Sequence, residues 1–434
     1  MNEFVETIES SDMGIEVYFA NGLRKIKPYY HSRTSFAKGR WLNRKLLEVL
    51  SSEFRSQSSE EYAKAIIRQE FQIIRENIAL SAEETLQTTI QNKDLIKTTS
   101  HKHEPPVKQW NSEEISKKGS TIAGIEIIHE CDEMLVLNKP SGVPIHPTGQ
   151  YYQNTLVEIL NTHGRSVLPS HRLDKVTSGV LILAKNSIMA NKIQRNIREH
   201  RMQKVYLVRV DGQFPKVDTL GDSDATKITM FSKLFSNPSK FTTEKSAMFT
   251  VEMKKQFPAA FSVAREATTI FYPVKYFPDT NETLVACQPL TGRTHQIRIH
   301  LARLGHPISN DSFYNYKITK FPRRLSFILG VNDWNDGKHA TADLEIHFDE
   351  FVRESEKVQL NSCSSSNKTC PECGGKLYSD PELRDLELYL HAWKYSDVEG
   401  EMSFETSLPA WAFNNDPYHE NRSFTSRPNF SLPP

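Results

Sequence analysis

HRLDKVTSGVLILA, residues 171–184, places a polar turn directly before a run of apolar side chains. The run at residues 180–183 predicts a buried strand, so Asp174 lies where a loop enters a sheet, a position that often carries function. A purely structural alternative is a surface turn in which Asp174 pairs with Arg172 or Lys175, because local ion pairs in loops are common and weak. Both interpretations stay open at this point.

Short apolar segments separated by turn residues continue on both sides of this stretch. Strands are predicted at residues 134–137, 205–210, 267–277 and 283–288. A helix is predicted with Ser187 as its N-cap, because Met189, Ile193 and Ile197 recur every four residues. Strands interleaved with a few helices indicate the α+β class, with a mixed, mostly antiparallel central sheet and flanking helices.

PLTGRTHQIRIHL, residues 289–301, is the second stretch rich in chemically useful side chains. Thr294 predicts a helix N-cap, and an apolar stripe begins at Ile297. Arg298 would lie in the first turn beside that stripe, where the helix dipole opposes a cation and burial desolvates it. Such an arginine needs a carboxylate partner, for which Asp174 is the candidate. The alternative is an arginine that extends to solvent at the edge of the core.

Charge is distributed unevenly along the 434 residues, although 54 Lys and Arg nearly balance 53 Asp and Glu. Residues 21–45 contain no acid, and Tyr29, Tyr30, Phe36 and Trp41 lie among their basic side chains. These basic residues are Arg24, Lys25, Lys27, Arg33, Lys38, Arg40, Arg44 and Lys45. Cations for phosphate and aromatic faces for bases are what RNA binding needs. An ordinary solvated basic loop is the alternative.

A chain of this length predicts two or three folded units. Composition predicts an acidic tail at 1–13, a basic extension ending in a linker at 14–118, a main domain at 119–414 and a disordered tail at 415–434. Weak apolar periodicity predicts insertions at 216–256 and 355–385 within the main domain. Asn21-Gly22 predicts a hairpin turn. The polar residues 91–118 predict the end of a small N-terminal domain and a linker containing Pro105-Pro106.

The N-terminus lacks the apolar run of a signal peptide and the Arg-rich character of a mitochondrial presequence. No stretch approaches the ~18 consecutive apolar residues of a membrane span. Five cysteines over a long chain do not form a disulfide framework. We therefore expect a monomer in a reducing compartment, the cytoplasm with the nucleus as an addition, and disfavour mitochondria and membranes.

The spacing of three cysteines raises the question of a metal site. Cys370 and Cys373 form a C-x-x-C pair with Cys363 upstream, whereas a structural zinc site usually has four ligands. His391 could be the fourth, but its surroundings predict a core strand. Free thiols in a loop are the preferred interpretation, so no metal is predicted.

Five motifs together resemble the RluA-type pseudouridine synthases. They are HRLDKVTSGVLILAKN, PLTGRTHQIRIHLARLGHPISND, KVYLVRV, LNKPSGVPIHP and LYLHAWKY, within residues 121–411. Upstream, YFANGLRKIKPYY and FAKGRWLNRKLLEVLSSEFR resemble the N-terminal extension of the eukaryotic tRNA-modifying branch. The resemblance implies that residues 119–414 are a catalytic pseudouridine synthase domain, and that the extension contains a drifted form of a small RNA-binding module.

The resemblance also implies residue roles. Asp174 would be the catalytic carboxylate, Arg298 would pair with it and favour its charged form, and Tyr206 would pack on the target base. Arg172 would enter the RNA stack in place of a flipped uridine. The other predicted substrate contacts are Arg293, His295, Lys25, Lys27 and Arg40. No cofactor is implied.

The function that follows is site-specific isomerisation of uridine to pseudouridine in RNA, with tRNA in or near the anticodon stem-loop as the first choice. A ribosomal RNA target is the alternative within the same enzyme class. A catalytically silent RNA-binding protein or chaperone, and a glycosidase that releases uracil, are alternatives from other classes. The combination of Asp174, Tyr206 and Arg298 argues against a silent protein, because binding a polyanion requires no carboxylate.

Overall fold

The computed structural model describes residues 7–10, 15–54, 58–110, 120–215, 228–234, 265–323, 325–326, 329, 350, 353, 368–375 and 377–413. Within these ranges, no helix is long and apolar enough to cross a membrane. The predicted tail at 415–434 lies outside the described residues, as do parts of the predicted insertions at 216–256 and 355–385.

Two small sheets form the N-terminal extension. Its strands are β1 (Thr7–Ser10), β2 (Glu16–Ala20), β3 (Leu23–Ile26), β4 (Tyr29–Phe36), β5 (Phe71–Arg75), β6 (Ile78–Ala79), β7 (Leu95–Lys102) and β8 (Val107–Lys108). In the described part of the chain they pair in the orders β1-β2-β3-β8 and β4-β7-β5-β6. Helices α1 (Leu46–Val49), α2 (Ser59–Ile67) and α3 (Ala82–Gln87) share a core with the second sheet around Trp41, Tyr62 and Ile73.

The hairpin predicted at Asn21-Gly22 is confirmed, with φ of 56° and 70° between β2 and β3. The polar stretch at 91–118, predicted as the end of a small N-terminal domain and a linker, contains β7, which lies between β4 and β5. The predicted acidic tail at 1–13 contains β1, which pairs with β2. A strand as polar as β7 can form because strands pair through backbone groups, and a sheet face open to water accepts Ser, Thr and His side chains.

The main domain is built on one large sheet. Its strands are β9 (Thr121–Ile122), β10 (Ile125–Glu130), β11 (Met134–Lys139), β12 (Leu168–Pro169), β13 (Ser178–Ala184), β14 (Met202–Asp211), β15 (Ile228–Leu234), β16 (Arg265–Phe277), β17 (Glu282–Pro289), β18 (Leu390–Asp397) and β19 (Ser403–Glu405). Among the described residues the order is β15-β16-β17-β14-β18-β13-β11-β10-β9, with β12 on β13 and β19 on β18. Its helices are α4 (Leu156–Thr162), α5 (Ser187–Arg198) and α6 (Gln296–Arg303).

The mixed, mostly antiparallel sheet of the prediction is confirmed. β13 and β18 run parallel, whereas β18 pairs with β14 in the antiparallel sense. Gly179 allows the close approach of β13 to β18, because its φ is +108° and a Cβ there would lie 2.2 Å from the carbonyl oxygen of Ala392. The order β14-β18-β13 brings the loop before β13 into the neighbourhood of Tyr206 on β14.

Candidate active site

Asp174 lies in the loop between β12 and β13, as the sequence predicted. The amide of Thr177 donates to the carbonyl of Asp174 at 3.1 Å, which closes a turn. The Asp174 side chain keeps 20% of its surface exposed, so a substrate can reach this carboxylate. A partly exposed carboxylate at the mouth of a sheet can act as a nucleophile or as a base.

A buried lysine holds the Asp174 loop in place. The Nζ of Lys139 donates to the carbonyl oxygens of Pro140 at 2.9 Å, Lys175 at 3.0 Å and Thr177 at 2.9 Å. Burial lowers the pKa of Lys139 to about 7, against the opposing effect of the Asp174 charge. The LNKPSG turn was the sequence signal for this residue, but spacing alone did not connect it with a loop more than thirty residues away.

Arg298 projects from α6 and is buried against two carboxylates. Its Nε and Nη2 each donate to Asp311 at 2.8 Å, and its Nη1 lies 3.9 Å from Oδ2 of Asp174. The predicted pairing with Asp174 therefore exists at ion-pair distance. The bidentate partner, however, is Asp311, in the GHPISND turn after the helix. Asp311 was not predicted from the sequence, because a carboxylate beside Ser and Asn in a turn resembles a solvated loop residue.

The Arg298–Asp311 pair keeps both charges. Burial alone would lower the pKa of Arg298 and raise the pKa of Asp311, but the mutual attraction outweighs burial, so the pKa of Arg298 is raised and that of Asp311 is lowered. The amides of Phe313 and Tyr314 also donate to Asp311, at 2.9 Å and 3.1 Å. The pair thus presents a permanent cation to Asp174.

His295 is a third group beside Asp174. Its Nε2 lies 3.6 Å from Oδ2 of Asp174, and its Nδ1 forms a 2.7 Å hydrogen bond with the hydroxyl of Tyr314. Helix α6 begins at Gln296, so its N-cap is His295 with a left-handed φ of 56°. The prediction of Thr294 as the N-cap is wrong by one residue.

Tyr206 on β14 and Tyr395 on β18 are hydrogen-bonded through their hydroxyls. Burial raises the pKa of Tyr206 to about 12; the bond from Tyr395 lowers it and the charge of Asp174 raises it. Tyr206 is therefore a neutral phenol near pH 7. The sequence analysis missed Tyr395, although the LYLHAWKY motif contains it.

The predicted substrate contacts occupy different environments. Arg172 is exposed two residues before Asp174, and Arg293 is half-buried, with its amide donating to the Gln296 side chain at 3.0 Å. Lys25 is buried and paired with Asp380 at 2.7 Å, so it is not open to solvent, and its phosphate contact stays a prediction.

Lys27 and Arg40 are exposed, and each is paired with a carboxylate. Lys27 pairs with Glu16, and Arg40 pairs with Glu53 at 2.7 Å. Their predicted RNA contacts remain predictions, because an exposed cation can exchange a carboxylate for a phosphate at small cost.

The site resembles known proteins in sequence. A family model described as RNA pseudouridylate synthase matches residues 133–303. The chain is 48% identical to the tRNA pseudouridine(31) synthase of Saccharomyces cerevisiae, over 92% of this chain and 97% of that protein. It is 34% identical to the mitochondrial tRNA pseudouridine(32) synthase of the same yeast, over 92% of this chain and 79% of that protein. It is also 29% identical to RNA pseudouridine synthase 7 of Arabidopsis thaliana, over 91% of this chain and 87% of that protein.

Proposed function

The chain belongs to the RluA-type pseudouridine synthase family, and on this basis we propose that it isomerises uridine 31 in the anticodon stem of tRNA. The observation that carries the chemistry is the open Asp174 carboxylate facing the buried pair of Arg298 and Asp311. The choice of nucleotide follows the higher identity with the relative named for position 31, 48%, than with the relative named for position 32, 34%.

The reaction exchanges one bond to the ribose for another. The bond between N1 of uracil and C1′ breaks, the base turns, and C5 joins C1′; C5 then loses a proton and N1 gains one. The Asp174 carboxylate would either attack the nucleotide or take a proton from the ribose. Both routes require an ionised carboxylate that substrate can reach, which agrees with the 20% exposure of its side chain.

Arg298 supports this carboxylate electrostatically. Because Asp311 satisfies the Nε and Nη2 donors of Arg298, the guanidinium is fixed with Nη1 directed towards Asp174. A charge that is oriented before substrate arrives needs no reorganisation during the reaction. His295, hydrogen-bonded to Tyr314, lies as a second group near the same carboxylate oxygen, with its Nε2 at 3.6 Å.

Tyr206 would contact the target base, and Arg172 would fill the position that the base leaves in the RNA. The neutral Tyr206 phenol would pack on the target uracil and donate or relay a proton after the base has turned. A stacked base hides its glycosidic bond, so the uridine must leave the helix. Arg172, exposed beside Asp174, would occupy the vacated place in the RNA stack.

The location of the enzyme is part of the same proposal. We expect it in the cytoplasm, with the nucleus as an addition, and as a monomer. The name of one relative assigns that protein to mitochondria. Cell fractionation with an antibody to the native chain distinguishes these compartments.

Tritium release tests the proposed function. Anticodon stem-loop RNA labelled with tritium at C5 of uridine is incubated with the purified enzyme, next to a matched RNA carrying cytidine at position 31. We expect release from the uridine 31 substrate alone, without free uracil. Equal release from both RNAs would move the target to another nucleotide, and free uracil would indicate a glycosidase. Release from ribosomal RNA alone would favour that substrate, and no release from any RNA would favour a silent binding protein.

The basic segment at residues 21–45 is predicted to bind RNA, and the structure separates its exposed cations from those paired with carboxylates. Two triple alanine variants are compared: one at the exposed residues Arg33, Lys38 and Lys45, and one at the paired residues Lys25, Lys27 and Arg40. Each phosphate contact that is lost lowers the slope of log K against log salt by about 0.9. For the first variant we expect the slope of log K against log salt to fall by about 2–3. For the second variant we expect a smaller fall in this slope but a larger loss of unfolding free energy, because Lys25 is buried.

Titration of labelled anticodon stem-loop RNA at several salt concentrations, with urea unfolding of both variants, measures these effects. If neither variant changed the slope, the segment would be an ordinary solvated face of the extension.

A further inference from the structure

Four metal-binding side chains meet where the N-terminal extension contacts the segment at residues 368–375. They are His101 at the end of β7, His103 just after it, and Cys370 and Cys373. One ligand atom from each lies within 4.8 Å of all the others. The chain separation between the two histidines and the two cysteines is about two-thirds of the molecule, so the fold, not local sequence, assembles the group.

The contacts within the group have the dimensions of a tetrahedral site. Nε2 of His103 lies 3.1 Å from Sγ of Cys373, and Nδ1 of His101 lies 3.6 Å from Sγ of Cys370. Zinc bonds of about 2.3 Å to sulfur and about 2.0 Å to nitrogen place neighbouring ligand atoms about 3.3–3.8 Å apart. Two histidines and two cysteines are also one of the common ligand sets of structural zinc.

The surroundings orient the ligands. Nε2 of His101 lies 3.2 Å from a carboxylate oxygen of Glu372, the arrangement that fixes the ring of a metal-bound histidine with its other nitrogen free for the ion. The amide of Gly375 donates to Sγ of Cys373 at 3.4 Å, and the amide of Gly374 donates to the carbonyl of Cys370 at 2.9 Å. The Cys-Pro-Glu-Cys-Gly-Gly turn therefore points both sulfurs inward and keeps the space beside them free of side chains.

Two glycines lie beside this group. A Cβ on Gly375 would lie 3.1 Å from Sγ of Cys373 and 3.7 Å from Nε2 of His103, which is tighter than ordinary contact on the sulfur side. Gly374 has a φ of +68°, in the left-handed region that glycine adopts without strain.

We propose that His101, His103, Cys370 and Cys373 bind one structural zinc ion. Four protein ligands fill a tetrahedral shell and leave no position for a substrate, so the ion contributes stability and not catalysis. It would connect residues 368–375 to the end of β7.

The strand end that carries the histidines is also attached to the catalytic domain. Glu104, the residue after His103, accepts hydrogen bonds from the amides of Tyr152, Gln153 and Asn154 at 2.9, 2.8 and 2.9 Å. The zinc ion would therefore stabilise the junction between the RNA-binding extension and the catalytic domain.

The proposal revises the sequence interpretation of the cysteines. Cys363 lies outside the described residues, and His391 is not at the group: its ring nitrogens bond Ser178 at 2.8 Å and Thr406 at 2.6 Å. The sequence signal was His101-Lys102-His103, which lay in the polar stretch interpreted as a linker.

Metal analysis of the native, untagged full-length enzyme tests the site. We expect about one zinc per chain in the wild type and less than about a tenth in Cys370→Ser/Cys373→Ser. Cys131→Ser is the matched control, because Cys131 is a free cysteine elsewhere in the catalytic domain, and it should retain the full zinc content. Full zinc content in the double serine variant, or none in the wild type, would overturn the proposal.

Cobalt provides a second readout that does not depend on folding of the serine variant. The wild-type protein, stripped of metal and titrated with Co²⁺, should show thiolate-to-cobalt charge transfer and intense tetrahedral ligand-field bands. His101→Gln and His103→Gln keep both sulfurs and should each weaken the tetrahedral bands. An octahedral cobalt spectrum without charge transfer in the wild type would exclude the cysteine ligands and overturn the site.

Discussion

Asp174→Asn should lower kcat by at least about 10⁴-fold, the scale on which removal of a reacting side chain acts. The amide has nearly the same shape as the carboxylate, but it neither attacks carbon nor takes a proton. RNA affinity should stay within about 1 kcal/mol of wild type, because the carboxylate makes no attractive phosphate contact. Tritium release under single-turnover conditions measures the first effect, and RNA titration of the same preparation measures the second.

The control for this variant is Asp132→Asn, the same chemical change at an exposed residue of the same domain. It should leave both release and affinity unchanged. If Asp174→Asn lost RNA binding together with turnover, Asp174 would be an organiser of the binding surface and its catalytic assignment would be wrong.

Asp311→Asn should have the second largest effect, because the nearest carboxylate left to the buried Arg298 charge is then Asp174, 3.9 Å away. Breaking a buried ion pair by removing one member costs about 3–5 kcal/mol of unfolding free energy. We also expect kcat to fall by about 10²–10³-fold, the cost of losing one fixed electrostatic group near the reacting atoms. Urea unfolding and tritium release measure the two losses.

A double variant separates stability from catalysis. Arg298→Met/Asp311→Leu removes both buried charges and should regain most of the lost unfolding free energy, since apolar side chains can replace a buried pair. Its activity should remain low, because the cation facing Asp174 is gone. Recovery of activity together with stability would show that Arg298 acts only through packing.

The exposed pair of Lys192 and Glu401 is the matched comparison, with a separation of 3.3 Å and about half of each side chain in water. Glu401→Gln should cost less than about 1 kcal/mol and leave activity unchanged. The contrast between the two pairs isolates the effect of burial.

The sequence was sufficient to predict features that depend only on residues close to each other along the chain. The hairpin at Asn21-Gly22 follows from two residues that accept positive φ. The strand after Asp174 follows from an unbroken apolar run, and the buried position of Arg298 follows from the apolar stripe of its own helix. These features depend on residue types and spacings within a few positions of each other, which are visible in the sequence.

Tertiary structure decided which groups meet. Asp311 as the partner of Arg298, and Tyr395 as the partner of Tyr206, depend on a turn and a strand that return to the site from elsewhere. Lys139 reaches the Asp174 loop only because β11 and β13 pair. The separation of two residues along the chain does not give their distance in the folded structure. These contacts could therefore not be predicted from spacing.

The sequence was also insufficient to predict the structure of polar segments. β7 satisfies its backbone groups through β4 and β5, and sheet pairing does not require apolar side chains. The same strand contains His101, which lies near Cys370 and Cys373. The sequence by itself determined the local elements, the position of the Asp174 loop before a buried strand, and Arg298 as a candidate partner of Asp174. The tertiary structure determined the ion pair that fixes that arginine and the four-residue group at the junction, because both are contacts between chain segments that only folding brings together.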